Sequence, residues 1–347
     1  MINFRFHLVS LIAVFLALTV GIVVGSTVVD QAIVDGLRAT VDRVEAKADD
    51  TDRVNNELTT ERDRLRALVD ELAPHTVANR LSGVRVVLVA QRGVDGGVVD
   101  SMRAWLRAAG ALAPAIVWLD ASWTLDDDEA LARLQEVTSS TAGARRVRTI
   151  ALGQLAQRLA DSPSAGDTTE PTTPDTTGPT DPSATPTTLA PTSTVPDPAP
   201  DDDTDVLVEL VDAGFVDVEG IDADALAQYP AGPTNAVLVG GPTADSPADV
   251  LTVLARNFGV AASLVVVTEV FEAGADADDA PRVRGASLAG IRDDEVLAGT
   301  VSTVDNGEVT EGSIAIVLAL EEASAGTVGH YGEGEGAQSM LPPPSRR

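Results

Sequence analysis

The feature that most constrains this chain is a long stretch with almost no charge. Between residues 6 and 29 the only ionisable side chain is His7, and the rest are Leu, Val, Ile, Ala, Phe and Gly with a few hydroxyls. At about 1.5 Å of rise per residue, about 20 apolar residues cross the roughly 30 Å hydrocarbon core of a bilayer. Inside lipid the backbone must satisfy its own hydrogen bonds, so such a run is read as a helix. The competing reading is a cleaved signal peptide, which calls for a basic start, a shorter apolar stretch and a small-x-small cleavage site. Here Arg5 is the only early cation, and residues 24–26 read Val-Gly-Ser. Residues 1–29 are therefore read as a cytoplasmic stub and an uncleaved transmembrane helix, in contact with bilayer lipid through 6–29. Arg5 precedes the span while Asp30 and Asp35 follow it. The positive-inside rule then places the N-terminus in the cytoplasm and the remainder outside the cell membrane. No second apolar run approaches the roughly 18 residues a span requires, so the expectation is a single pass. Ala13, Ala17, Gly21 and Gly25 recur every fourth residue, and the last two form a GxxxG that lets helices approach closely in lipid.

A heptad pattern follows. With Leu37, Val44, Thr51, Leu58, Leu65 and Leu72 at d, the a positions fall on Val34, Val41, Ala48, Asn55, Arg62 and Val69. Apolar residues at most a and d positions make a coiled-coil seam, and an Asn at a selects dimers and fixes register. Lys47 and Glu61 occupy g, with Asp52 and Arg66 at the following e, which suits opposite-charge pairing in a parallel dimer. Residues 30–74 are thus read as a coiled coil ended by Pro74, pairing over 34–72 as a parallel homodimer or with a partner's helix. A lone amphipathic helix packed on its own domain also fits the pattern.

Two blocks with strand–helix rhythm come next. In the first, 80–160, the pattern predicts strands at 84–90 and 115–119 and helices around 98–109, 127–137 and 147–159. In the second, 205–332, strands are expected at 235–239, 263–268 and 301–304, with helices at 206–213, 248–258 and 313–323. Short β-branched runs alternating with amphipathic stretches signal a parallel sheet covered by helices. Neither block has enough strands to stand alone, so the two are read as sharing one doubly wound, mostly parallel five-stranded α/β sheet. Between them, 161–204 holds ten Pro, thirteen Thr and nine acids with no base, a composition that predicts a disordered linker. Residues 333–347 are expected to be a flexible tail.

Chemistry is scarce. Against 53 acids there are 24 bases, for a net charge of −29, which argues against nucleic acid as a partner. Cysteine is absent, excluding disulfides, thiolate metal sites and a cysteine nucleophile, and only three His and three Met occur. Gly240-Gly241-Pro242-Thr243 lies between a predicted strand and helix, where backbone amides can cradle an anion, but it lacks the Lys of a P-loop. A tight turn explains it as well. Asp305 and Asn306 lie at the carboxyl edge of the sheet, where α/β ligand sites form, although an Asp-Asn-Gly turn accounts for them too. His75 and His330 have no neighbour at metal-ligand spacing, and 332–336 reads as a solvated acidic stretch. No catalytic, cofactor-binding or metal residue is assigned, and the chain reads as non-enzymatic.

Several strings carry a family likeness: MINFRFHLVS at 1–10, GIVVG at 21–25, VSTVDN at 301–306, IAIVLAL at 314–320 and GHYG at 329–332. Together they resemble the MctB-like copper-transporter family of actinobacteria. Arginine outnumbers lysine 23 to one, which suits a GC-rich actinobacterial genome. The resemblance implies copper export or homeostasis, a place in the cell membrane or outer envelope, and copper as a binding partner. The residues themselves supply neither the many alternating ten-residue segments of a barrel nor a cluster of soft copper(I) ligands. The architecture is also similar to the corynebacterial SteB-type cell-separation proteins, which implies a coiled-coil scaffold working with a membrane partner protein.

Overall fold

The structure is a computed structural model that describes residues 4–112, 115–160, 205–229, 234–261, 263–271 and 288–343. The predicted disordered linker at 161–204 lies outside the described residues. Two compact units divide the chain, residues 1–68 and 69–347.

The first unit is a helical rod. Helix α1 runs from Phe4 to Val77 without a break. Its segment Phe4–Gly25 is among the described residues the one helix long and apolar enough to cross a membrane. Beyond it the heptad residues Leu37, Val41, Val44, Leu58 and Leu65 are all exposed.

The second unit is built on a seven-stranded sheet with strand order β3-β2-β1-β4-β5-β6-β7. The parallel members are β1 (Val86–Gln91), β2 (Ile116–Leu119), β4 (Asn235–Gly240), β5 (Val265–Glu269), β6 (Ser302–Val304) and β7 (His330–Tyr331). Among the described strands only β3 (Val216–Glu219) runs antiparallel, pairing with β2 at one edge. Because β1 and β4 adjoin at the centre, strands from the two sequence blocks form one sheet, as the pattern required.

Side chains alternate across β1: Val87 and Val89 enter one core, while Val86, Leu88 and Ala90 enter the other. The first core is covered by α3 (Asp128–Val137), α4 (Ala144–Ala160), α5 (Val206–Asp212), α6 (Asp249–Val260), α7 (Ala289–Arg292) and α8 (Glu295–Ala298). The second is covered by α2 (Gly96–Ala108), α9 (Thr310–Ser324) and the last turns of α1. Helices on both faces satisfy the burial demand of parallel strands, whose runs are apolar on both sides. Local signals agree with the packing. Asp95 caps α2 by accepting from Gly97 N at 2.8 Å, and Asp127 caps α3 by accepting from Ala130 N at 2.6 Å. On α6 the stripe Val250, Leu251, Leu254, Ala255 and Phe258 is buried at helical spacing.

Four features differ from the sequence expectation. Pro74 does not end α1: Ala73 and Val77 on either side of it are fully buried in the second core, and this packing holds the last turn helical. Val69, an a position of the heptad pattern, is half-buried against that same core. The sheet has seven strands rather than five, because β3 and β7 are short edge strands held by pairing rather than by a hydrophobic run. The residues after 332 are not a free tail as far as they are described, since Gly332 N donates to Ser339 O and Gln338 N to His330 O.

Candidate functional site

In open α/β sheets ligands bind beyond the carboxyl ends of the strands, where the connections diverge to opposite faces. Here that point lies between β1 and β4, and protein fills it. The side chain of Gln91, the last residue of β1, is buried and donates from Nε2 to Ser246 O (3.1 Å), Ser246 Oγ (2.7 Å) and Pro247 O (3.2 Å). Asp245 N donates to Arg92 O at 2.7 Å. Gly93 adopts φ +89°, and a β-carbon there would lie 2.2 Å from Thr243 O, so only glycine permits this closure. The Gly240–Thr243 segment is therefore a turn packed onto its neighbours, with a β-carbon at Gly241 falling 2.4 Å from Val270 O. Helix α6 starts only at Asp249, so no helix N-terminus points its amides at that turn.

Beside it, Arg92 stacks 4.6 Å over the Trp118 ring, pairs with Asp217 and reaches Asp120 at 3.4 Å. Burial raises the Asp120 carboxyl above the usual range; Arg92 opposes the shift and Asp217 adds to it. The Trp118 indole donates to Glu219 Oε2 at 3.2 Å, which ties the edge strand β3 down by a side-chain hydrogen bond as well as by its ladder.

A fully enclosed carboxylate follows β6. Asp305 is fully buried. One of its oxygens accepts from Arg292 Nη2 and Gly334 N, each at 3.0 Å, and the other from Glu333 N at 2.7 Å. Arg292 also donates to Thr303 Oγ1 (2.9 Å), Glu335 O (2.6 Å) and Tyr331 O (3.3 Å). The Thr303 hydroxyl lies 2.9 Å from His330 Nδ1. Because Arg292 can only donate to that hydroxyl, its proton is free to point at a neutral imidazole. Burial pushes the His330 pKa below its ordinary value, the Arg292 charge adds to this, and a hydrogen bond to the Ala298 backbone opposes it. Gly332, at φ +120°, leaves no room for a β-carbon, which would fall 2.1 Å from Asp305 Oδ1. Every oxygen of Asp305 is thus engaged by the protein itself. The arrangement clamps residues 332–335 onto the sheet edge. Asp305 was visible in the sequence as a residue at a strand end. Its partners Arg292, Glu333 and Gly334 had no local signal.

The soft ligands do not gather. His75 is exposed on the last turn of α1, while His330 is buried beside Thr303. Met102 packs its methyl group against Gly307, and Met340 Sδ accepts from Asn306 Nδ2 at 3.6 Å. Among the described residues no group of three His, Asp or Glu side chains could hold a metal ion.

Residues 1–342 match the family model described as "Copper transport outer membrane protein, MctB". The chain belongs to the MctB family. Its relatives include the "Copper transporter MctB" of Mycobacterium tuberculosis (strain ATCC 25618 / H37Rv) and that of Mycobacterium bovis (strain ATCC BAA-935 / AF2122/97). Each is 27% identical over 358 residues, covering 98% of this chain and 99% of the relative. The MctB match takes in the membrane-length helix, the rod and both sequence blocks of the α/β unit, so the family likeness concerns the whole architecture.

Proposed function

We propose that this protein serves copper homeostasis at the cell envelope, in the direction of export, as a single-pass anchored and non-enzymatic component. The observation that supports this is the full-length likeness to copper transporters, membrane-length helix included. Arg5 before the span and Asp30 and Asp35 after it favour a cytoplasmic N-terminus and an α/β unit outside. An apolar helix suits the inner membrane, although the family description names the outer one. Since the described soft ligands are scattered, the reading assigns copper passage to an assembly with a membrane partner, not to this chain alone. The test is total cell copper, by mass spectrometry, in a deletion strain and its complemented counterpart under copper load. Accumulation that complementation reverses supports the proposal, and unchanged copper refutes it.

A second reading is favoured by one specific observation, the exposed apolar heptad face of α1. On this reading the protein is a coiled-coil scaffold in daughter-cell separation that holds a membrane partner. The same deletion cultures would then form chains of unseparated cells. Co-purification of the partner would be lost on Leu58→Pro.

A further inference from the structure

The rod carries its apolar side chains on the outside. At a and d positions Val34, Leu37, Val41, Val44, Leu58 and Leu65 are exposed, Leu37 by 63% and Val44 by 64%. Exposed apolar surface repeated in register marks an interaction face.

The charges suggest what covers it. Away from the seam, Arg53 is neutralised within the helix, pairing with Asp50 at 2.6 Å and Glu57 at 2.8 Å, while at the e position nearest the membrane Arg38 pairs with Asp35 at 3.5 Å. Lys47, Asp52, Glu61 and Arg66, which flank the seam at g and e, have no partner among the described residues. In a parallel, in-register pair Lys47 would face Asp52 of the other copy and Glu61 would face Arg66, each twice by symmetry. No g position with its following e′ brings like charges together along 40–66. Asn55 at a provides the buried polar contact that penalises slipped registers.

We infer that α1 pairs with a second copy of this chain, parallel and in register, over residues 34–65. The seam stops short of Val69, which turns to the core of its own α/β unit. Ala48, Thr51 and Arg62 make this a modest zipper. Anchoring both copies in one membrane sets their direction and raises their effective concentration.

The chain has no cysteine, so a single introduced one reports without background. Thr51→Cys places a thiol at d, and Ala46→Cys places one at the outward f position of the same turns. In native membranes holding the full chain, mild oxidation should give roughly tenfold more disulfide-linked dimer from Thr51→Cys, because facing d residues lie within disulfide reach and f residues do not. Adding Lys47→Glu to Thr51→Cys should reduce the yield by setting like charges against Asp52. Adding Asp52→Lys as well should restore it. Unchanged tryptophan fluorescence of the α/β unit in each variant would show that no loss reflects unfolding. Equal yields at 46 and 51, no dimer at 51, a cross-linked band of another mass, or failure of the charge swap to restore the yield would each overturn the inference. Cell copper plays no part in the readout, so this result and the copper measurement can fail separately.

Discussion

The rod and the α/β unit use the same apolar side chains in opposite ways. In the rod Leu, Val, Ile and Phe face outward along nearly the whole helix. In the α/β unit the only exposed large apolar residues among those described are Leu72, Leu112, Val260, Val296 and Met340. Its buried polar groups are mostly paired as well, with Asp305 accepting three hydrogen bonds and Gln91 donating to Ser246 and Pro247. A unit whose interior is largely paired with itself can be stable by itself, whereas a helix with an uncovered stripe requires lipid or protein around it.

Stability measurements on single variants can sharpen or break that contrast. Trp105, Trp118 and Trp123 all lie in the α/β unit, so their fluorescence during denaturation of the full chain reads that unit alone. The largest effects are expected from Arg292→Ala and Phe258→Ala. The first strands a fully buried carboxylate and should cost about 3–5 kcal/mol, and the second leaves a core cavity and should also cost about 3–5 kcal/mol. A loss below 1 kcal/mol in either would contradict a unit held by its own interior. Gln91→Ala comes next, at about 1–3 kcal/mol, because it removes the donor that ties Ser246 and Pro247 to the sheet.

A smaller effect should appear in the pH profile. The folded His330 binds its proton less readily than the unfolded residue, whose pKa is about 6.5. The unfolded state therefore takes up more protons below about 6.5, and stability present above that pH is lost as the pH falls toward the lowered folded value. His330→Gln should flatten this slope in denaturant titrations run from neutral to mildly acidic pH. A slope that persists unchanged would assign the effect to another group. The smallest change is expected from Leu58→Ala, which should shift the tryptophan-monitored transition by no more than about 0.5 kcal/mol since the residue is exposed on the rod. A large shift would mean that the rod and the sheet unit are energetically one body.

The central strands were legible because Val, Leu and Ile cluster in short runs bounded by turn residues, and β1, β4 and β5 lie where those runs do. The edge strands were not. Val216–Glu219 alternates Val with acids over only four residues, and His330–Tyr331 is too short to carry any pattern. Both exist because a neighbouring strand pairs with them, which is a long-range fact. Pro74 misled for a similar reason, since helix propensity weighed less than burial of Ala73 and Val77. The Asp305 clamp drew on residues from both sides of β6, and nothing at positions 292 or 332–335 announced their meeting. By contrast, the membrane-length run and the heptad stripe were plain in the sequence, because each is periodic within one helix.

The unbroken course of α1 sets a limit on how its small residues can be used. Successive residues of an α-helix turn by about 100°, which puts Gly21 and Gly25 about 160° around the axis from the Val34–Val44 stripe. Two straight helices joined along that stripe would turn their glycines away from each other, toward the surrounding acyl chains. Such a pair would be zipped outside the bilayer and splayed within it, with its two bare helix backbones bordering the lipid on opposite flanks.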